Sequence, residues 1–235
     1  TKGQYTKDDL PLDAIDYAYI DGLNTFMQTA HNCRNNGAVN LLCCLKNFIL
    51  YAIRNEWIEK NPFRYYKMKV DKTNVKVPLT REELDTLLRK PMPNDRLDRI
   101  RDVFCFCALT GLAFTDADHL RKEHITTDEE GTVWIHKPRE KTAVMSRVPL
   151  LPQAIRILKR YESDETCKSR GKLLPVPSNS KMNAYLKELA GICNIPKNLT
   201  THCARHTFAT MMLTLGADLY TTSKLLGHTD VKMTQ

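Results

Sequence analysis

The sequence predicts a mainly α-helical protein with a small antiparallel β-sheet, divided into a helical N-terminal domain and a mixed α+β domain. Apolar residues recur at helical spacing through most of the chain. Between Ile125 and Leu151 the pattern changes to short alternating runs with turn residues, which is typical of strands. Residues 63–79 are basic and show no helical period, so they predict an extended linker.

The N-terminal domain is expected to hold two long amphipathic helices. Their apolar residues span 12–30 and 38–60, and Asn61-Pro62 is expected to end the second helix. Thr80-Arg81-Glu82-Glu83 is a capping box that starts a new helix. We therefore predict a helical domain over residues 1–75 and a second domain over 76–235.

In the second domain we predict a three-stranded sheet, with helices before and after it along the chain. Thr110-Gly111 is expected to stop the helix over 94–108, and Glu130-Gly131 forms a turn between strands. Gly216 and Gly227 occupy positions suited to helix C-terminal caps. The other expected helices cover residues 115–122, 152–161, 180–193, 202–215 and 218–226.

Composition places the chain among soluble globular proteins. It has 235 residues, of which 42% are hydrophobic and 26% charged. No apolar run is expected to reach the roughly 18 residues of a membrane span, so no membrane partner is predicted, and the N-terminus lacks the pattern of a signal peptide. The missing initiating Met and the abrupt end predict a piece cut from a longer protein.

The eight cysteines form no CxxC pair and fall mostly in apolar helical patterns. They are expected to be small buried hydrophobes in a reducing compartment, with neither disulfides nor a metal site. The cytoplasm of a bacterium fits this pattern.

The net charge of +8 favours a polyanionic partner, because each phosphate that a cation neutralises releases counterions. Double-stranded DNA is the expected partner. The alternative for these basic residues is a solvated charged face. The predicted contacts to the DNA backbone are Lys46, Arg54, Lys67, Lys69 and Lys72. Lys137 and Arg139 of the basic hairpin are also predicted to bind DNA.

One arginine and two histidines near the C-terminus could hold a phosphate group. His202 precedes Arg205 by three residues, so the two share one helix face, and His228 follows Gly227 on a turn. An arginine fork can bind two phosphate oxygens at once. The alternative is a helix start with a surface arginine and a capping histidine. Lys141, at a basic hairpin, could deliver a proton to a leaving oxygen, unless the hairpin is merely exposed and charged.

The order of these motifs resembles the tyrosine recombinases, the phage-integrase family, and within it the integrases of conjugative transposons. The resemblance runs from about residue 80 to the end, and residues 12–75 resemble the family's helical core-binding domain. The motifs in chain order are Thr110-Gly111-Leu112, a hairpin lysine before Val148-Pro149-Leu150, His202-x-x-Arg205-His206-Thr207-Phe208-Ala209, and Leu226-Gly227-His228.

The resemblance implies site-specific recombination and integration of a mobile element. It implies a C-shaped clamp on duplex DNA, strand cleavage by a tyrosine and a 3′-phosphotyrosyl intermediate. Arg205, His202 and His228 would stabilise the phosphate, and Lys141 would protonate the leaving 5′-oxygen. No cofactor or metal is expected. A homotetramer on paired DNA sites, host DNA-bending proteins and a nucleoid-associated location are also implied.

The sequence departs from the family pattern at two points. The position of the family's first catalytic arginine holds Ala113, and we hypothesise that Arg101 supplies the missing charge, with Arg121 and Arg147 less favoured. Asp116 is expected to orient a neighbour. The family tyrosine would fall two residues beyond Gln235, so this chain is expected to bind DNA without cleaving it.

Three other functions remain open at this point. A regulator derived from a recombinase could bind DNA without catalysis. A type IB topoisomerase shares much of the expected site. A metal hydrolase could use His202, His206 and His228 as ligands, although Arg205 between them would repel a cation.

Overall fold

The computed structural model describes residues 10–71 and 77–234. The chain separates into two compact units, Thr1–Asn74 and Val75–Gln235. Each unit has a hydrophobic core of its own.

The first unit consists of two packed helices, α1 (Tyr17–Thr29) and α2 (Asn35–Arg54), after a short 3-10 turn, Leu12–Ala14. Asp16 caps α1 by accepting a hydrogen bond from the Tyr19 amide at 2.7 Å. The two predicted helices are therefore present. The second ends at Arg54, well before Asn61-Pro62, because the chain leaves the helix through Asn55 and a left-handed Glu56 with φ of 61°.

The stretch predicted as a free linker belongs in part to this first unit. Phe63 is only 3% exposed and packs in the same core as the two helices. Asn35 Nδ2 donates to the Lys69 carbonyl at 2.9 Å, and the Asn36 side chain pairs with both backbone groups of Asp71. These contacts fix residues 63–71 against the start of α2.

By length and composition alone, α2 could cross a membrane, contrary to the prediction that no segment would. A core helix passes the same test, and its Leu42 face packs into the core of the unit. The opposite face exposes Leu41, Phe48 and Tyr51. It also exposes two of the cysteines that we predicted to be buried, Cys43 and Cys44.

The second unit arranges helices around a long buried helix and one small sheet. The first helices of this unit are α3 (Arg81–Arg89), α4 (Asp95–Thr110) and α5 (Phe114–Asp118). The strands are β1 (Ile125–Thr127), β2 (Val133–Pro138) and β3 (Met145–Pro149). The remaining helices are α6 (Pro152–Arg160), α7 (Glu165–Arg170), α8 (Asn179–Ile192), α9 (Thr201–Thr214) and α10 (Leu219–Leu225).

Helix α4 forms the centre of this unit, and every residue from Ile100 to Thr110 is buried. It packs against α3, α6, α8 and α9. The capping box that begins α3 is present: Thr80 Oγ1 accepts from the Glu83 amide at 3.2 Å, and Glu83 accepts from the Thr80 amide at 2.7 Å. The fold class therefore agrees with the prediction, although the sequence pattern missed the six-residue helix α7.

Gly111 ends α4 and brings it against α9. Its φ is 69°, the left-handed conformation that glycine adopts without strain. A Cβ at this position would lie 2.5 Å from Cδ1 of Phe208 on α9. The glycine therefore lets the end of α4 approach α9 closely, and this approach brings the Gly111 carbonyl to the site described below.

The sheet is antiparallel with three strands, as predicted, and the strands lie in the order β1-β2-β3. Ile135 on β2 pairs with Val148 on β3, and both side chains are buried. Residues 139–144 connect these two strands. Strand β3 contacts α10, so the β2–β3 hairpin lies beside the C-terminal end of that helix.

Candidate functional site

Three successive backbone carbonyls at the end of α10 each accept a hydrogen bond from a different element. Ser146 Oγ donates to Leu225 at 2.7 Å, Arg205 Nη2 to Leu226 at 2.5 Å, and Arg139 Nη1 to Gly227 at 3.1 Å. Carbonyls at a helix C-terminus lack intrahelical partners and carry partial negative charge. They are therefore suited to hold two guanidinium groups close together.

Arg205 is fixed from two sides. Besides the Leu226 carbonyl, it donates from Nη1 to the Gly111 carbonyl at 2.6 Å. Burial, and then the nearby positive charge of Arg139, lowers the pKa of Arg205 to about 10, so the side chain remains charged at neutral pH. The two carbonyls orient the guanidinium and leave its other N–H groups for a ligand.

Arg139 provides a second guanidinium at the same place. Its side chain is 10% exposed, and its Nε lies 3.7 Å from Oδ2 of the buried Asp116. That Nε is a buried donor without a hydrogen-bond partner within the described residues. Buried donors are usually satisfied, and an unpaired one in a cationic cluster is typical of a site that takes an anion.

Asp116 holds both the second arginine and its hairpin in place. While Oδ2 faces Arg139, Oδ1 accepts a hydrogen bond from the Glu140 amide at 2.9 Å. Asp116 lies on α5, the short helix that Ala113 begins. The carboxylate offsets part of the repulsion between Arg139 and Arg205, because it attracts both cations.

His228 completes this group, which we call the arginine cluster: Arg139, Arg205, Asp116 and His228. Its Nδ1 lies 2.8 Å from Thr234 Oγ1. Burial first, and then the charges of Arg205, Arg139 and His206, lowers the pKa of His228 to about 4. The imidazole is therefore neutral at pH 7.

His202 lies on the first turn of α9, exposed and three residues before Arg205. His206 is also exposed on α9, and its charge contributes to the lowered pKa of His228. Both histidines therefore lie on the helix that carries Arg205. Within residues 10–71 and 77–234, no group of three or more His, Cys, Asp or Glu side chains is placed to hold a metal ion.

The hairpin lysines occupy different environments. Lys141 is exposed in the turn between β2 and β3, where a mobile lysine was predicted. Lys137 is 3% exposed and donates to Glu140 Oε1 at 2.9 Å. This burial argues against the prediction that Lys137 contacts DNA, whereas Arg139, also predicted to bind DNA, lies in the arginine cluster.

Arg101 lies away from the arginine cluster, in the first half of α4. It donates from Nε and Nη2 to Asp102 Oδ1 at 3.0 and 2.8 Å, and from Nη1 to the Lys90 carbonyl at 2.9 Å. A second carboxylate, Asp98, lies 2.8 Å from Nη2. These contacts argue against the hypothesis that Arg101 supplies the charge missing at Ala113. Arg139 occupies the cluster instead.

The sequence held a signal for the inward position of Arg139. Alternate residues of a strand share one face, and on β2 the buried residues are Ile135 and Lys137. Arg139 continues this alternation by two residues. A prediction based on this alternation would have placed the Arg139 side chain on the buried face.

The remaining predicted DNA contacts lie on the first unit. Arg54 ends α2 and is exposed, Lys46 on α2 is half-buried, and Lys67 and Lys69 are exposed in the segment that follows. Lys72 lies outside the described residues. Arg121 and Arg147, the less favoured substitutes for the missing arginine, are exposed on the second unit.

Comparison with known protein families gives a match for each of the two units. The profile of the Phage integrase family matches residues 78–235, and that of the Phage integrase SAM-like domain matches residues 3–70. Tyrosine recombinase XerD of Lacticaseibacillus casei is 25% identical over 229 residues, covering 91% of this chain and 75% of the relative. XerD of Pseudomonas aeruginosa is 27% identical over 237 residues, covering 93% and 75%.

Solved structures share the fold over almost the whole chain. The Tn1549 transposon integrase in complex with circular intermediate DNA has a TM-score of 0.73 at 19% identity, covering 99% of this chain and 83% of that one. A lambda integrase dimer bound to a COC' core site has a TM-score of 0.73 at 16% identity, covering 97% and 81%.

Proposed function

The chain belongs to the Phage integrase family, the tyrosine recombinases, and from that premise we propose that it recombines DNA at specific sites by cutting and rejoining strands through a 3′-phosphotyrosyl intermediate. The observation that carries the proposal is the arginine cluster. Two guanidinium groups bind the carbonyls of Leu226 and Gly227, and a neutral histidine lies close enough for their charges to lower its pKa. This arrangement suits a phosphodiester whose charge increases during reaction.

In the proposed reaction, a tyrosine oxygen attacks the phosphorus and the 5′-oxygen of the next nucleotide leaves. Arg205 and Arg139 bind the non-bridging oxygens and stabilise the additional negative charge at phosphorus. A 5′-hydroxyl later attacks the same phosphorus and releases the tyrosine. One phosphodiester is exchanged for another, so the bond energy is conserved in the intermediate.

His228 acts as a neutral hydrogen-bond donor in this scheme. We assign the Thr234 hydroxyl as the donor to Nδ1, which leaves the ring proton on Nε2. From there it can bind a phosphate oxygen. His202, on the same helix face as Arg205, is the second proposed partner, and Lys141 is the proposed acid for the leaving 5′-oxygen.

The nucleophile remains a prediction. Among the described residues of the second unit, the tyrosines contact other side chains: Tyr161 binds Asp102, Tyr185 stacks with Arg96, and Tyr220 with Lys224. The tyrosine that the family resemblance places after His228 is therefore best tested in the full-length protein.

DNA binding would be divided between the two domains. We propose that the helical domain, through Lys46, Arg54, Lys67 and Lys69, neutralises backbone phosphates, and that the second domain holds the scissile phosphate. By analogy with the transposon integrase, the substrate would be the end of a mobile element. A homotetramer on paired sites, host DNA-bending proteins and a location at the bacterial nucleoid in the cytoplasm complete the proposal.

A nicked suicide substrate tests the function in the full-length protein. Loss of the short fragment beyond the nick traps a covalent protein–DNA adduct, which denaturing gels detect. We expect an adduct with the native protein and none with Arg205→Ala, while the exposed Arg170→Gln serves as the active control. DNA binding without any adduct in the native protein would favour the non-catalytic regulator instead.

A further inference from the structure

A second group of arginines surrounds a cavity in the Val75–Gln235 unit, between α3, α4 and α6. The cavity has a volume of about 320 Å³. Four arginines line it, which is unusual for a surface hollow because like charges repel at close range. They are Arg89 on α3, Arg101 on α4, and Arg156 and Arg160 on α6.

Two of these arginines, Arg101 and Arg160, which we call the inner pair, are held by the partly exposed Asp98 and the buried Asp102. Asp102 accepts from Arg101 on Oδ1, and from Arg160 Nη1 on Oδ2 at 3.0 Å. Asp98 lies 2.8 Å from Arg101 and 3.3 Å from Arg160. The hydroxyl of Tyr161 adds a hydrogen bond to Asp102 at 2.8 Å. This network fixes two guanidinium groups in the wall of the cavity and compensates their charge.

The charges of the other two arginines, Arg89 and Arg156, are not compensated in this way; we call these two the outer pair. Arg89 and Arg156 are exposed, and the side chain of neither makes an ion pair or hydrogen bond with any residue of the described ranges. Asp85, the remaining carboxylate of the cavity, is engaged with Arg81 at 3.4 Å. The opening of the cavity therefore carries two positive charges that no side chain neutralises.

The cavity is distinct from the arginine cluster. Arg101 lies nine residues before Thr110, the last residue of α4. At about 1.5 Å per residue this separation is about 14 Å along the helix. The side chains that line the cavity do not overlap with those of the cluster, so one small anion cannot contact both.

We propose that this cavity binds the phosphate group of an anionic ligand, with Arg89 and Arg156 as its direct ligands and Arg160 lining the cavity wall behind them. Guanidinium forks match the oxygens of a phosphate group, and two uncompensated cations attract its negative charge. The phosphate can come from a small phosphorylated compound or from the backbone of a DNA segment outside the cleavage site. Both sources share this chemistry.

Inorganic pyrophosphate is the probe for a calorimetric titration of the chain. We expect Arg89→Gln with Arg156→Gln to weaken binding at least about tenfold, since two charge-assisted contacts are lost. The control, Arg121→Gln with Arg170→Gln, removes the same charge from exposed positions outside the cavity and should change binding less than about threefold. Equal weakening in both double variants, or none in the first, would overturn the proposal.

A local measurement removes any dependence on the folding of the variants. In the native chain, pyrophosphate should shift the side-chain Nε–Hε NMR signals of Arg89 and Arg156, and unchanged signals would refute the site. A short DNA duplex without a recombination site then distinguishes the two possible sources of the phosphate group. Displacement of pyrophosphate from these signals by the duplex identifies the DNA backbone, and its retention identifies a small phosphorylated compound. Either result supports the shared chemistry, and neither depends on strand cleavage.

Discussion

The side chain of Arg139 packs against the backbone of Gly227. Arg139 Nη1 donates to the Gly227 carbonyl at 3.1 Å, and a Cβ on Gly227 would lie 2.7 Å from Arg139 Cδ. Gly227 has a φ of 62°, in the left-handed region. The glycine therefore both ends the turn after α10 and leaves the space through which Arg139 reaches the arginine cluster.

Gly227→Ala should displace Arg139 and impair strand cleavage. The added methyl group collides with the arginine side chain, and the left-handed backbone costs about 1–2 kcal/mol for a residue with a Cβ. We expect cleavage of the suicide substrate by the full-length protein to fall at least about tenfold, with DNA affinity nearly unchanged. Gly131→Ala is the matched control, because Gly131 has a φ of 81° but no atom within 4 Å of its added Cβ. Equal effects of the two substitutions would show that strain alone is responsible.

Arg139→Ala should remove one of two charge-stabilising groups. Loss of one such donor costs on the order of 2.7–4 kcal/mol in the transition state, or about 10²–10³ in rate. Single-turnover cleavage rates measure the effect, and Arg139→Lys should recover only part of it because an ammonium lacks the forked donors. A cleavage rate unchanged by Arg139→Ala would exclude it as the substitute for the arginine absent at Ala113.

Arg101→Gln should destabilise the fold and leave the chemistry intact. Removing one partner of a buried ion pair costs about 3–5 kcal/mol, although Arg160 and Tyr161 still contact Asp102 and reduce that loss. Arg96→Gln breaks an exposed pair with Glu188 and should cost about 0–1 kcal/mol. Urea unfolding of both variants measures the difference. A stable Arg101→Gln protein with abolished cleavage would restore the original hypothesis of a catalytic Arg101.

Local patterns in the sequence predicted most of the helices, the sheet and some of the caps, because these features depend on neighbours within a few residues. The Thr80 capping box and the glycine at the end of α4 are examples. The role of Arg139 depends on Gly227, 88 residues away, and no local pattern encodes that approach. For Arg101 a local signal existed: Asp98 precedes it by one helical turn, which favours an ion pair over a free charge.

Lys141→Ala should slow cleavage of ordinary DNA and be rescued by a substrate with sulfur in place of the leaving 5′-oxygen. A thiolate leaves without a proton, so the acid becomes unnecessary. Lys137→Ala is the comparison, because buried Lys137 holds Glu140 and thereby the hairpin, and a positioning defect should persist with either substrate. If the sulfur substrate does not rescue Lys141→Ala, Lys141 is not the acid.

The lowered pKa of His228 predicts a pH dependence of stability. The ordinary pKa of histidine is about 6.5, and burial together with Arg205 and Arg139 lowers that of folded His228 to about 4. Between these values the unfolded chain binds more protons than the folded one, so the free energy of unfolding falls as the pH falls from about 6.5 to about 4. The contribution of neutral His228 to the free energy of unfolding is fully present above about pH 6.5. His228→Gln should flatten this part of the curve in urea unfolding. An NMR titration of the imidazole provides the direct measurement, and Arg139→Gln should raise the His228 pKa because one of the charges that lowers it is gone. A His228 pKa near 6.5 in the native chain would contradict its place in the arginine cluster.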